Sequence, residues 1–167
     1  MKLDTKGIAI LAFIIGLLTF FVFMPSKGVM HVPEAMNVQT LDGEKLNLGS
    51  LQGKPYMLTF WSTSCPGCVK EIPVLEALDQ KMQSSGFRII GVAMPYDVPA
   101  EIKAMRTQKG MTYTVAHDQS GELTKQFDVR VTPTSFLIGA DGNIAARKMG
   151  EWDAAELEQK VRDLIKG

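Results

Sequence analysis

The stretch YMLTFWSTSCPGCVKEI, residues 56–72, limits the possible folds more than any other part of the chain. Its first six residues, YMLTFW, are a short apolar run with aromatic side chains, which reads as a buried strand. A few residues later the pattern changes to a helical period, with Val69, Ile72, Leu75 and Leu78 on one face and Gly86 as the stop. Pro66 suits the first helical position, where a missing N–H would be unpaired anyway, and Pro73 is expected to kink the helix. Both cysteines of the chain, Cys65 and Cys68, fall at this strand–helix junction. A bridge between them closes almost no loop, so it does little to restrict the unfolded chain.

The flanking pattern extends the strand–helix alternation. MNVQTLDGEKLNLGSL alternates around Asp42-Gly43, a hairpin signal. FRIIGVAM, residues 87–94, has no polar side after Arg88 and reads as a strand buried on both faces. VPAEIKAMRTQKGM is a helix with Pro99 near its start and Gly110 at its end; YTVAHD is a short strand and GELTKQFDV a short helix. TSFLIGADGNIAARKMG forms a second hairpin at Asp141-Gly142, and DAAELEQKVRDLIKG is an amphipathic helix capped by Asp153. This order argues an α/β domain with a mixed sheet covered by helices. The formal net charge is zero, which gives no reason to expect nucleic acid or another polyanion as partner.

The N-terminus differs from the rest. GIAILAFIIGLLTFFVFM, from Gly7 to Met24, has no ionisable side chain. As a helix it would rise about 27 Å, close to the hydrocarbon thickness of a bilayer, with Pro25 and Ser26 at the interface. Twelve of the residues from Ile8 to Phe23 are Ile, Leu, Phe or Val. At about −0.3 to −0.6 kcal/mol each, insertion is favoured by several kcal/mol. A cleaved signal peptide would have a shorter apolar run and a small-x-small site, which FMPSKG does not offer cleanly. The expectation is therefore an uncleaved single-pass anchor over 7–26, with residues 1–6 on the cytoplasmic side because of Lys2, Lys6 and the amino terminus. Residues 25–34, with two prolines and a glycine, read as a tether, which makes 27–34 the linker and residues 35–167 the exported domain. That places the domain outside the cytoplasm, periplasmic or otherwise extracytoplasmic, on the cytoplasmic (inner) membrane.

Two thiols at C-x-x-C spacing beside a strand–helix unit indicate redox chemistry or metal. A closed zinc site needs four ligands, and the histidines available beyond the thiols are His31, in the linker, and His117. A Cu(I) carrier stays open, since soft thiolates select that ion, although no methionines cluster near the cysteines in sequence. The redox reading uses more of the stretch. Cys65 falls where the strand ends, at the positive end of the helix, which favours its thiolate. Cys68, within the first turn, is placed to resolve a mixed disulfide formed by Cys65.

FWSTSCPGC followed by Pro73, together with VTPTSFLI, resembles the thioredoxin-fold family, over roughly residues 35–167. The N-terminal anchor, the leading hairpin and CPGCVKE resemble most closely its TlpA/ResA-like exported thiol–disulfide oxidoreductases. The resemblance implies a thioredoxin-like α/β fold: a central mixed sheet flanked by helices, with an N-terminal β-hairpin and one N-terminal transmembrane helix. It implies Cys65 and Cys68 as the catalytic pair, joined by a redox-active disulfide, with Glu71 beside them, and a cis Pro133 packed against that disulfide. Trp61, Pro66, Gly67, Thr132 and Pro133 are the expected substrate-facing residues. For several of these a plainer reading stands alongside: Trp61 as core, Thr132 as the end of a turn, Glu71 as a favourable charge on the helix dipole. No cofactor and no metal are implied. The expected partners are thiols and disulfides of exported proteins, with apocytochrome c and copper-site assembly proteins among the candidates. A thiol-transferring membrane protein would supply electrons, since the exported compartment is oxidising. An exported disulfide oxidase is the alternative direction. A peroxiredoxin is disfavoured because Leu58 stands where its motif needs proline, although Ser62 matches.

Overall fold

The computed structural model describes residues 14–16 and 31–167. The expected anchor over 7–26 therefore lies outside the described residues apart from 14–16, which are helical and exposed. Among the described residues no helix is long and apolar enough to cross a membrane.

The expected alternation is present. In chain order the elements are β1 (Asn37–Thr40), β2 (Lys45–Asn47), β3 (Tyr56–Trp61), α1 (Pro66–Met82), β4 (Arg88–Ala93), α2 (Pro99–Lys109), β5 (Thr114–His117), α3 (Glu122–Gln126), β6 (Thr134–Ile138), β7 (Ile144–Met149) and α4 (Ala154–Lys166). The strands make a seven-stranded sheet in the order β2-β1-β5-β4-β3-β6-β7. β4 pairs parallel with β3 and β5, while β6 runs antiparallel to β3, so the sheet is mixed. The parallel neighbours are joined by helical crossovers, and the hairpins β1–β2 and β6–β7 by turns at Gly43 and Gly142, whose φ values of 85° and 78° suit glycine. This is a thioredoxin-like α/β fold.

Period-two alternation along β3 divides the core into two layers. Met57 and Trp61 join Cys68, Ile72, Leu75 and Leu78 of α1 and Leu157 and Val161 of α4 on one face. Tyr56, Leu58 and Phe60 join Leu123, Phe127 and Phe136 on the other. A six-residue strand buried throughout is what a central position between two helical layers requires.

α1 runs from Pro66 to Met82 with Pro73 inside it, as the helical period through that residue predicts; Pro73 lies on the exposed side, clear of the sheet. One detail differs from the sequence reading: His31 and Val32, from the stretch read as a linker, join the fold, where Val32 is buried, its N–H donates to the Gly142 carbonyl at 3.0 Å, and His31 bridges to Asn143. An apolar Val32 side chain gains by burial against the sheet, which the neighbouring Gly and Pro residues obscured.

Candidate active site

The site grows from the C-terminal end of β3. After Trp61 the chain turns through Ser62–Ser64, and the Cys65 N–H closes that turn on the Ser62 carbonyl at 3.1 Å. Cys65 is the N-cap of α1, in extended conformation, with Pro66 at the first helical position. The Cys65 Sγ accepts a hydrogen bond from the Cys68 N–H at 3.2 Å, the role an Asp or Ser side chain usually takes at a helix start. Cys65 and Cys68 are joined as a disulfide. Cys65 is half-buried, whereas Cys68 is 3% exposed within the α1 core layer. Reduction would leave the N-cap sulfur beside the Cys68 N–H at the positive end of α1 and partly open to solvent, the setting that stabilises a thiolate and lets it attack.

Glu71 lies one turn beyond Cys68 on the same buried face of α1 and is itself 3% exposed. Its Oε1 accepts from the Trp152 N–H at 2.7 Å. Burial pushes its carboxyl above the usual carboxylate range; the Trp152 hydrogen bond opposes that shift and the nearby Glu151 charge adds to it. A buried carboxylate with a raised pKa beside a buried thiol can take up and return a proton, which an exposed first-turn acid could not do as well. Beside the helix-dipole reading, Glu71 is thus a packed carboxylate held by one backbone hydrogen bond.

Trp61 is buried among Cys68, Ile72 and Trp152 in that same layer, so its core reading holds. It needs Gly91 in the adjacent strand: a Cβ there would lie 3.2 Å from Trp61 Nε1 and 3.0 Å from the Tyr113 ring. Pro66 is exposed and Gly67 half-buried, and a Cβ on Gly67 would sit 3.0 Å from Glu151 Oε1. Lys70 pairs with that Glu151 at 2.8 Å on the surface. The Thr132–Pro133 bond is cis, and Pro133 precedes Thr134, which pairs with Phe60 at the Cys65 end of β3. Pro133 is buried and its carbonyl accepts from Gly150 N–H at 2.8 Å. The half-buried Thr132 lies in a bend that Thr134 Oγ1 closes onto the Val131 carbonyl at 2.7 Å, and Thr132 itself makes no backbone–backbone hydrogen bond among the described residues.

Three features escaped the sequence reading. Trp152 reaches Glu71 across 81 residues of chain, with no local signal to announce it. Thr59 and Ser135, paired in register across β3 and β6, share a buried hydroxyl–hydroxyl hydrogen bond at 2.9 Å beneath the site. Asp97, in the loop between β4 and α2, is buried and directed at the turn before Cys65. The same loop exposes Tyr96 and Val98, and Val131 and Met149 are exposed at the corresponding end of β6 and β7.

Comparison with known proteins agrees with this geometry. The Redoxin family model matches residues 29–163. A thiol-disulfide oxidoreductase ResA from Bacillus thuringiensis is 32% identical over 158 residues, covering 93% of this chain and 91% of the relative. A thioredoxin-family thiol:disulfide interchange protein from Chlorobium tepidum superposes with a TM-score of 0.74 at 27% identity, over 84% of this chain and 99% of that one. StoA from Bacillus subtilis superposes with a TM-score of 0.67 at 26% identity, over 77% and 97%. With a redoxin domain, relatives of this kind and a Cys65–Cys68 disulfide at a helix N-terminus, the chain belongs to the Redoxin family, among its ResA-type thiol–disulfide oxidoreductases.

Proposed function

We propose that the protein is a membrane-tethered reductase that acts outside the cytoplasm on disulfides of exported proteins. The observation that carries this reading is the asymmetry of the thiol pair: an accessible Cys65 sulfur at the start of α1 and a sheltered Cys68 above a buried Glu71. In the reduced enzyme the Cys65 thiolate attacks one sulfur of the substrate disulfide, forming a mixed disulfide and releasing the first substrate thiolate. The Cys68 thiol gives its proton to the Glu71 carboxylate and attacks the Cys65 sulfur. The second substrate thiolate leaves, the Cys65–Cys68 disulfide forms, and two electrons have passed to the substrate. A dithiol donor in the membrane returns the enzyme to its reduced form by the reverse exchange.

The substrate strand is proposed to lie across Pro66, Gly67, Thr132 and Pro133, where the open Thr132 backbone can pair with an extended peptide. Trp61 supports this surface from below. Support for the tether comes from the eighteen-residue uncharged run at Gly7–Met24. The ResA match also covers 93% of the chain, a larger share than residues 31–167 can supply. Apocytochrome c and copper-site assembly proteins are the proposed kinds of substrate.

The test is a Cys68→Ser variant of the full chain expressed with its N-terminal segment. It should accumulate mixed disulfides through Cys65 with exported proteins, which mass spectrometry identifies, while Cys65→Ser should trap few or none. Equal trapping by both variants would remove the assigned roles. Equilibration with a glutathione buffer decides the direction: a potential below that of the buffer supports the reductase, and one well above it supports an oxidase.

A further inference from the structure

Asp97 is 6% exposed, yet among the described residues no ion pair includes it. A buried carboxylate without a cation must be held by hydrogen bonds, and here the donors are specific. Oδ1 accepts from Ser62 Oγ at 2.9 Å, Thr63 Oγ1 at 2.9 Å and Thr63 N–H at 3.2 Å. Oδ2 accepts from the Met94 N–H at 3.2 Å. Ser62 Oγ in turn bonds Ser64 Oγ at 3.0 Å and the Ser64 N–H at 3.2 Å, and the Ser62 carbonyl holds the Cys65 N–H. The network therefore runs without a gap from Asp97 to the backbone of the N-cap cysteine.

An acidic residue just before a helix ordinarily caps that helix. Asp97 precedes α2, whose N-cap Val98 makes no side-chain cap hydrogen bond. The Asp97 carboxylate turns instead to the preceding active-site turn. Without it, residues 62–64 would keep their own short-range bonds and the longer-range 3.4 Å bond from Thr63 Oγ1 to Glu101 Oε2, and the Cys65 sulfur would be held less firmly at the N-terminus of α1.

We infer that Asp97 is a positioning residue for thiol exchange: it locks the Ser62–Ser64 turn so that the Cys65 sulfur stays aligned with the helix N–H groups. This rests on Cys65 being the attacking thiol. A few tenths of an ångström at such a junction matter, because alignment with the N–H groups is what holds the thiolate ready to react.

The experiment measures the iodoacetamide reaction of the reduced full-length protein against pH, with the modified cysteine located by mass spectrometry. Asp97→Ala and Asp97→Asn both remove the charge, but only Asn keeps an oxygen for Ser62 and Thr63. The expected result is that Asp97→Ala slows Cys65 modification at neutral pH by about tenfold and moves its pH midpoint upward. Asp97→Asn should stay within about threefold of the native rate, because its oxygen still positions the turn. A native-like profile for Asp97→Ala, or equal changes in the Ala and Asn variants, would overturn the inference. If Asp97→Ala fails to fold, Ser62→Ala decides: a slower Cys65 with a raised midpoint supports the network, and a native-like profile overturns it. In the native protein, faster modification of Cys68 than of Cys65 would instead overturn the reading of Cys65 as nucleophile, a separate failure.

Discussion

The two faces of β3 carry the same backbone and opposite chemistry. On one face Tyr56, Leu58 and Phe60 pack into an aliphatic and aromatic layer, with the Phe60, Phe127 and Phe136 rings 4.9–6.0 Å apart. The polar contact β3 makes there is the Tyr56 hydroxyl donating to the Leu48 carbonyl. On the other face Met57 and Trp61 share their layer with the Thr59–Ser135 hydroxyl pair, the Cys68 sulfur and the Glu71 carboxylate. The first face is built for burial alone. The second accepts polar groups that weaken it as a core, and those groups surround the redox pair. Stability and reactivity are thus separated by the period-two alternation of one strand.

The comparison can be broken at its reactive side first. Cys65→Ser should abolish disulfide reductase activity, a fall of at least about a thousandfold in an insulin or model-disulfide assay, with the unfolding midpoint of the reduced protein little changed. The opposite face should respond in the reverse sense. Phe136→Ala should lower stability by about 3–5 kcal/mol in denaturant titration while leaving the reduction potential unchanged, since it opens a cavity far from the sulfurs. A shift in potential would mean that the faces are coupled.

Glu71→Gln sharpens the contrast, because it touches both properties. Resolution of the mixed disulfide should slow by about tenfold or more, through loss of a proton acceptor near Cys68. Stability should change in the opposite direction, and the sign follows from the raised carboxyl pKa. Folded Glu71 holds its proton to higher pH than the unfolded chain, so the native protein loses stability as pH rises from the ordinary value of 4.5 through the folded midpoint. Gln keeps an oxygen for the Trp152 N–H and carries no charge. Thermal unfolding should therefore show no gain for the variant below pH 4.5 and a full gain above the folded midpoint. The smallest effect is expected at Thr59. Thr59→Val alone leaves the Ser135 hydroxyl unpaired and should cost about 1–3 kcal/mol, and adding Ser135→Ala should recover most of it.

Much of this was legible in local sequence. The apolar six-residue run at 56–61, the turn glycines at 43 and 142 and the Asp153 cap, which accepts from the Ala155 and Glu156 N–H groups, are short-range signals that the fold obeys. Cys65 and Pro66 announced the helix start in the same way. What sequence could not supply depends on distant pairing. Trp152 meets Glu71 because α4 packs on α1, and Thr59 meets Ser135 because β6 inserts beside β3. The role of Asp97 had no local signal, since its Ser62 and Thr63 donors lie 35 and 34 positions earlier, across a parallel crossover. Pro73 stays inside α1, where its ring is exposed and the rest of the helix is held by packing.

The central claim is that one sulfur of the pair is set apart by its place at the start of a helix. Rates of alkylation of Cys65 and Cys68 in the reduced native protein, followed from acid to alkaline pH, test it most directly. The account predicts that Cys65 reacts as a thiolate at neutral pH, at a midpoint below that of a free cysteine, while Cys68 reacts slowly and only at higher pH. Two thiols that titrate together in the range of free cysteine, at equal rates, would contradict it.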